Sequence, residues 1–573
     1  MESSGLHPIP ISAKRLSISE GLGIFLILCL TTFVCEFASF RSFGLYEDDY
    51  WFIAGGMRLR GSGLLNLILN CITHWPQGRP IAHFFAHAFG FFGNQLGGLS
   101  ALYLYASLWL SFNGWLTFKI ARHWLPLGPA FISGLIFVLF PAETGRQATT
   151  YIILQGAMSA MLLGCLYWLR TDSKRYFSYL LALACPLMFE TSLLPFLALP
   201  LLGRPSNKIG VKRMWLEHIL ACTAIVVFVG ALRIHLGENR MLGVLGSPSQ
   251  SLYKAFSSTV IGPWTVLKAA QYALHTGYLE LTAAGSLVGA LLLGVLYRLL
   301  YKRLVENKPL SSFSGIPFGL ACFIAWCGSY LFTLVDYPPI QIVGRMTDTH
   351  MAGAFPFALL CGSLVYLGLK NSKLVKTVTC LCLGFLIVGF SSYGFHIQRG
   401  YVQSLKLQRI FWQQILDLCP DAGKQTQIFV IGRPAQERQD HVVLANSWSD
   451  CYTCRVLFED TTDLDAPDSI EFGHLGVNPE LWDFQINQGT VIGWKPRFWR
   501  QTSYSSIKPD HLILIYSDNG RLVRVGSLQF EMRDNAGKPM LIKIASTRPI
   551  PKPVPNTQPK TALFVDLWDR AQK

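Results

Sequence analysis

Charged residues are scarce in this chain of 573 residues: Asp, Glu, Lys and Arg together make up 14% of it. About a quarter is usual for a soluble globular protein. Hydrophobic residues make up 51%, and between positions 22 and 395 they form runs of roughly 20 residues, the length that crosses a bilayer. The composition therefore argues against an ordinary soluble protein and predicts an integral membrane protein. From 398 to 573 the apolar stretches are short and alternating, which is typical of a soluble domain.

The sequence also lacks a glycine-rich nucleotide-binding motif, and no small-residue cleavage motif follows the first apolar run. We therefore expect no nucleotide site and a first helix that is retained. The net charge of +15 lies mostly in the first 397 residues, which hold 28 basic and 15 acidic side chains. Most of these basic residues lie in short loops between apolar runs, where they orient helices. We expect no nucleic-acid partner.

The apolar runs predict a polytopic α-helical membrane domain over residues 1–397 and a soluble α+β domain over 398–573. The stretch 176–202 is interpreted as two short helices, because both flanking loops are basic and basic loops stay cytoplasmic. This gives about 11 transmembrane helices, with the N-terminus in the cytoplasm and the C-terminal domain periplasmic or otherwise extracytoplasmic. A bacterial inner or plasma membrane is the expected location. The spans are placed near 20–40, 98–118, 127–141, 150–169, 214–236, 280–300, 313–334, 350–369 and 374–395, with two more in 176–202.

Acidic residues gather at the external ends of these spans. Carboxylates near a bilayer are costly and tend to face a water-filled cavity. Two external loops, 41–98 and 237–279, are long, and the first contains two aromatic helical segments, 48–59 and 81–92, that we expect in the membrane interface. The acidic residues are Glu47, Asp48, Asp49, Glu143, Glu190, Glu238, Asp336 and Asp348.

The sharpest motif is Tyr46-Glu47-Asp48-Asp49, soon after the first span. Three consecutive carboxylates at an apolar boundary repel one another and lose hydration, which is how a general base is prepared. The alternative is that an aspartate simply caps an interfacial helix.

With these residues the chain resembles the GT-C superfamily of membrane glycosyltransferases, which transfer a sugar from a polyprenyl-phosphate carrier on the outer face. The resemblance covers roughly residues 15–400. It includes Asp48 and Asp49 in the first external loop, the interfacial loop itself, and Glu190 at the junction of two short helices. Several branches of the family carry a Lys before this Glu, where the present chain has Phe189. The resemblance implies a GT-C-like fold, a polyprenyl-phosphate-linked sugar as donor and a glycan, lipid or protein acceptor.

The resemblance also implies roles for the acidic residues. Asp48 or Asp49 would deprotonate the acceptor hydroxyl, and the sequence does not separate the two. Glu47 is expected to contact substrate beside them, and Glu190 at the short-helix junction is expected to do the same. Glu143 is a second catalytic candidate, with a polar turn between spans as the alternative.

The leaving phosphate requires cations. Arg345 precedes an apolar helix and can present a guanidinium fork to phosphate, assisted by His350; the alternative is an arginine that reaches lipid headgroups. Arg79 is the other candidate, because Pro80 would begin a helix whose positive end favours an anion beside Arg79.

Metal binding stays open in the sequence. His83 and His87 share a helix face, but the glutamate of a zinc-protease motif is missing between them, so polar anchoring is the favoured interpretation. A divalent cation, Mg²⁺ or Mn²⁺, at the acidic residues remains a candidate because some branches of the family use one.

Two cysteines lie in the predicted extracytoplasmic domain. Cys451 and Cys454 are candidates for a small disulfide in an oxidising compartment, with free thiols as the alternative. A thioredoxin-like redox role would need a helix start within a βαβ unit, which residues 447–450 do not indicate. Elsewhere in this domain the pattern predicts a helix over 401–418 and strands over 427–431, 441–444, 491–494, 511–516, 522–530 and 540–545.

Two other functions compete with glycosyl transfer. A transporter or flippase for a lipid-linked glycan would often show two matching halves with interrupted spans, and the break near Glu190 has no obvious counterpart. A non-catalytic scaffold leaves the three adjacent carboxylates unexplained.

Overall fold

The computed structural model describes residues 18–74, 79–170, 175–202, 210–236, 247–281, 283–305, 315–331, 338–431, 450–458, 470–474, 482–496, 504–518, 521–533 and 539–558. The chain forms two compact units. The first comprises residues up to 40, 60–89 and 96–399, and the second comprises 41–59, 90–95 and 400 onwards. The first unit is helical, and the second combines helices with two β-sheets.

Helices dominate the described residues. Helix α4 begins at a proline, which has no N–H to leave unpaired in a first turn, and the last long helix continues from the first unit into the second. The helices are α1 (Ile18–Thr32), α2 (Asp49–Arg58), α3 (Gly61–His74), α4 (Pro80–Gln95), α5 (Gly98–Ala121), α6 (Leu127–Val138), α7 (Ile152–Arg170), α8 (Arg175–Met188), α9 (Leu194–Leu197), α10 (Leu199–Leu202), α11 (Val211–His235), α12 (Pro248–Leu279), α13 (Ala283–Val305), α14 (Gly315–Gly328), α15 (Met351–Lys370), α16 (Lys373–Leu418) and α17 (Asp450–Phe458).

Five helical segments among the described residues are long and apolar enough to cross a membrane. A sixth results if the bent pair formed by α12 and α13 is one broken span. Many of their outward-facing side chains are Leu, Ile, Val and Phe, which is the surface that lipid requires. The five segments are Ile18–Ser42, Thr149–Leu169, Val211–His235, Met346–Lys370 and Lys373–Leu418.

The second unit contains two β-sheets. One has the order β2-β1-β6-β7, in which β1 is parallel to both neighbours and β6 is antiparallel to β7. The other has the order β3-β4-β9-β8, with β5 paired to β4. The strands are β1 (Gln427–Ile431), β2 (Glu471–His474), β3 (Trp482–Asn487), β4 (Thr490–Pro496), β5 (Ser505–Ser506), β6 (Leu512–Asp518), β7 (Arg521–Val525), β8 (Ser527–Arg533) and β9 (Pro539–Ala545).

The two sheets share one hydrophobic core. Phe429 and Leu514 from the first sheet pack with Trp494 and Ile542 from the second, and all four are almost fully buried. The rings of Phe429 and Trp494 stack with centroids 4.8 Å apart. Trp494 therefore belongs to the core between the two sheets.

The predicted membrane-compatible helices and C-terminal sheet region are confirmed, but three predicted boundaries are wrong. The loop expected over 237–279 is largely the 32-residue helix α12, because a chain with few breakers can form a helix without a long apolar run. The span near 374–395 and the helix 401–418 are one helix of 46 residues. The strand expected over 522–530 divides at Gly526, so that β7 and β8 belong to different sheets. The predicted strand 441–444, Glu238 and Asp336 lie outside the described residues.

Candidate functional site

The segment 46–49, here called the acidic loop, leads into α2 and belongs to the second unit. The Tyr46 hydroxyl donates to the Tyr401 carbonyl at 3.0 Å, and the Tyr46 N–H donates to the Asp49 Oδ2 atom at 3.0 Å. Glu47, between them, has φ 46°, a left-handed conformation that a residue with a Cβ rarely adopts. Such strain persists only where the surrounding contacts enforce it. The loop is therefore held in one specific shape.

The two aspartates of this loop have different environments. Asp49 is fully buried, with 0% of its surface exposed, and its carboxylate organises the turn through the Tyr46 N–H. Asp48 is half-buried at the N-terminal end of α2 and makes no side-chain capping hydrogen bond. The capping interpretation of Asp48 is therefore not supported by a hydrogen bond, and Asp48 is the more accessible carboxylate of the pair.

A second cluster, in the first unit, brings two predicted residues together. Arg79, immediately before α4, donates from Nε to Glu190 Oε2 at 2.9 Å and from Nη2 to Glu190 Oε1 at 2.5 Å. Arg233, near the end of α11, donates from Nη2 to Glu190 Oε2 at 3.0 Å. The Arg79 guanidinium also lies 5.3 Å from the ring centroid of Phe189, a cation–π distance. Phe189 thus packs against the guanidinium of Arg79.

Among the described residues, the pair formed by Arg79 and Arg233 carries one more positive charge than the carboxylate that it contacts. Two guanidiniums share one carboxylate, because arginine stays protonated in proteins. The side chains of Arg79, Glu190 and Arg233 are 17%, 34% and 9% exposed. Arg233 Nε is buried and has no hydrogen-bond partner among the described residues. Burial, together with the positive charge of Arg79, lowers the pKa of nearby His83 well below its usual value, so His83 adds no further charge at neutral pH.

Glu143 lies in a separate buried ion network of the first unit. Arg146 Nε donates to Glu143 Oε2 at 3.2 Å, and Arg146 Nη1 reaches Glu36 Oε1 at 3.5 Å. Gln147 donates to both the carbonyl and the carboxylate of Glu36. Burial raises the pKa of Glu143 despite the nearby Arg146. This arrangement holds the loop between α6 and α7 in place and encloses the Glu143 carboxylate.

The same loop is joined to the segment that carries Arg345. The Thr144 N–H donates to Thr347 Oγ1 at 3.0 Å, and the Gly344 N–H donates to Thr144 Oγ1 at 2.8 Å. The Arg345 side chain lies outside the described part of the structure. His350 is fully buried, and its two ring nitrogens lie 3.2 Å from the Tyr330 hydroxyl and 2.9 Å from the Gln341 carbonyl. These protein groups hold the His350 ring in place.

Cys451 and Cys454 lie in the first turns of α17, and neither forms a disulfide in this structure. The disulfide considered for them is therefore absent from this structure. The expectation that no helix starts within a βαβ unit here is wrong, because α17 begins at Asp450 and lies between the parallel strands β1 and β2. The sequence did not indicate the start of α17, because no apolar periodicity surrounds the aspartate at which the helix begins.

The described residues contain no group of three His, Cys, Asp or Glu side chains placed to hold a metal ion. His83 and His87 are both buried on α4. A divalent cation at the acidic loop therefore stays a prediction.

Sequence reasoning missed Arg233, Arg146 and Glu36. Each is a charged residue within or next to a long apolar run, and such a residue is expensive in a membrane unless it is paired. That cost is a signal that marks all three as candidates. Their partners cannot be read from the chain, because Arg146 and Glu36 are 110 positions apart.

No protein-family model matches the sequence, and no curated protein matches it significantly.

Proposed function

We propose that this chain is an integral-membrane glycosyltransferase of the GT-C type. It transfers a sugar from a polyprenyl-phosphate donor to an acceptor hydroxyl on the extracytoplasmic face of the membrane. The finer topology, with about 11 spans, a cytoplasmic N-terminus and an extracytoplasmic second unit, belongs to this proposal. Apolar helices compatible with membrane insertion support it.

The observation that carries the proposal is the difference in burial between Asp48 and Asp49. A general base must be accessible and fixed in position. Asp48 is half-buried at the start of α2. Asp49 is enclosed and holds the turn. We assign Asp48 as the base that accepts the proton of the acceptor hydroxyl, and Asp49 as the residue that positions it.

The arginine pair supports the donor side of the proposal. A polyprenyl phosphate is an anion on a long apolar chain, and it needs cations close to apolar surface. Among the described residues, Arg79 and Arg233 supply two guanidiniums that share the one carboxylate of Glu190. Guanidinium groups bind phosphate in a bidentate manner. The leaving phosphate would displace part of the contact with Glu190, or would use the donors that Glu190 leaves unpaired.

The deciding experiment supplies the purified full-length chain with radiolabelled polyprenyl-phosphate sugars and membrane acceptors. Asp48→Asn is expected to lower transfer by about 10²–10⁴-fold, the range for loss of a general base, while binding of the lipid donor is retained. Arg213→Gln changes an exposed arginine of α11 and is the matched control. Full transfer by both Asp48→Asn and Asp49→Asn would overturn the site. Movement of labelled lipid across vesicles without transfer would instead support a flippase.

A further inference from the structure

The first turns of α17 hold a pair of thiols in a setting that the proposed transfer does not use. Cys451 is half-buried, and Cys454, one helical turn later, is fully buried. Both belong to the second unit, as does the acidic loop.

The helix that carries these thiols belongs with the sheet that contains β1 and β2. Strands β1 and β2 are parallel, and α17 lies in the chain between them. The chain then adds β6 on the other side of β1, so the strand order changes direction at β1. In open α/β sheets, functional groups collect beyond the carboxyl ends of the strands at this change of direction. His474 ends β2, and its Nδ1 lies 3.2 Å from the Asp450 carboxylate, with both side chains buried.

A physical connection runs from the thiols to the acidic loop. Tyr452 lies between the two cysteines in sequence, and its ring stacks on Trp51 of α2 with centroids 4.9 Å apart and planes 7° from parallel. Trp51 follows Asp49 by two residues. Burial raises the pKa of Tyr50, and the carboxylates of Asp49 and Asp450 raise it further.

We propose that Cys451 and Cys454 are a reversible dithiol–disulfide site that changes the conformation of the α2 acidic loop through the Tyr452–Trp51 stack. The oxidant is a small or protein disulfide. Deprotonated Cys451 attacks one of its sulfurs and releases a thiolate, and Cys454, after losing its proton, attacks the mixed disulfide and releases the second. The two cysteine thiols lose two electrons and two protons in total, and the oxidant becomes two thiols.

Closing this bond requires a movement of the first helical turn. Side chains three residues apart on a helix have Cβ atoms about 5–6 Å apart, whereas a disulfide needs about 3.8 Å. The turn that carries Tyr452 must therefore tighten, which pulls its ring away from Trp51. Burial raises the pKa of Cys451 to about 12. The thiol is then mostly protonated at neutral pH, and its oxidation is slow and accelerates with rising pH.

Any effect of this disulfide on sugar transfer rests on the proposed role of Asp48. Formation of the disulfide and movement of the acidic loop are independent of that role. The test therefore uses readouts that are independent of transfer. The full-length chain in detergent is incubated with dithiothreitol or with glutathione disulfide, alkylated, digested and weighed. After oxidation, the peptide that contains Cys451 and Cys454 is expected to carry no alkyl group and to weigh two hydrogens less than the reduced peptide. After treatment with dithiothreitol, both cysteines are expected to be alkylated again. Amide exchange over the α2 segment is expected to become about two- to tenfold faster, as for loss of one aromatic pair.

Matched variants separate this site from general oxidation. Cys451→Ser is expected to abolish both changes. Cys419→Ala, which alters another buried thiol of the same unit, is expected to preserve them, and Trp51→Leu to preserve the disulfide but not the exchange difference between the two redox states. The comparison of oxidised with reduced protein uses the unmodified chain. It therefore tests the proposal even if a variant folds poorly. A dithiol that stays alkylated under excess oxidant, or unchanged exchange over α2 after oxidation, would overturn it.

Discussion

Arg79 donates hydrogen bonds to both carboxylate oxygens of Glu190, 111 residues later in the chain, with donor–acceptor distances of 2.9 and 2.5 Å. Arg233 adds a third contact to the same carboxylate. In this paired geometry the side chains hold one another in place before any substrate arrives. In the proposed function, this pairing preorganises the two arginines for the anionic phosphate of the donor.

The first prediction concerns these arginines. In the transfer assay, Arg79→Gln and Arg233→Gln are each expected to raise the KM for the lipid donor by about 10–100-fold, since a hydrogen bond to a charged group contributes about 1.5–3 kcal/mol. Arg79→Lys keeps the charge but loses the bidentate contact, so an intermediate KM is expected. Arg213→Gln serves as the exposed control. Donor KM values equal to those of the unaltered chain would contradict a phosphate site here.

The second prediction separates the two aspartates by stability. Asp49→Ala leaves the buried Tyr46 N–H without its acceptor and is expected to lower the free energy of unfolding by about 1–3 kcal/mol. Asp48→Ala, at a half-buried position, is expected to lower it by less than Asp49→Ala does. Thermal unfolding in detergent, followed by tryptophan fluorescence, measures both. Equal melting temperatures for the two variants would remove the positioning role of Asp49.

A third prediction concerns acid stability of the second unit. Burial alone would raise the pKa of Asp421, but hydrogen bonds from Arg524 and Arg548 overcome this and hold it below its usual value. Because the folded-state pKa is the lower one, the stabilisation is present above the unfolded-state pKa of about 3.9. It is lost as the pH falls through the folded-state pKa.

Asp421→Asn is accordingly expected to lower stability at pH 7 by about 1 kcal/mol, a value reduced by partial exposure. The difference from the unaltered chain is expected to shrink towards pH 2. Protease resistance of the C-terminal unit, measured across this pH range, tests the expectation. A difference that grows with acidity would have the wrong sign.

The fourth prediction concerns Gly145, in the loop that carries Glu143 and Arg146. A Cβ atom at this position would overlap the ring of Tyr151. Gly145→Ala is therefore expected to destabilise the chain by about 1–3 kcal/mol through overpacking. Gly23→Ala, whose Cβ would meet nothing within 4 Å, is the matched control, and comparable melting temperatures for the two variants would refute the packing argument.

Sequence patterns predicted the features that depend on local chemistry. Apolar runs marked the long helices, Pro80 marked the start of α4, and alternation marked strands such as β7. The patterns did not predict the helix α12, whose mixture of Ser, Thr and Lys with apolar residues breaks up any long hydrophobic run. They also could not pair Arg233 with Glu190, because such pairing depends on where distant helices meet. The distinction between Asp48 and Asp49 likewise required knowledge of burial.

The buried pairing of Glu36 with Arg146 bears on how the chain is made. Glu36 belongs to the first apolar segment, and Arg146 is synthesised 110 residues later. In the proposed topology, that first segment therefore enters the membrane with a carboxyl group that lacks its eventual partner, and a lone acidic group there is costly. The Glu36 contact with Arg146 can therefore form only after the segment that follows α6 has been made.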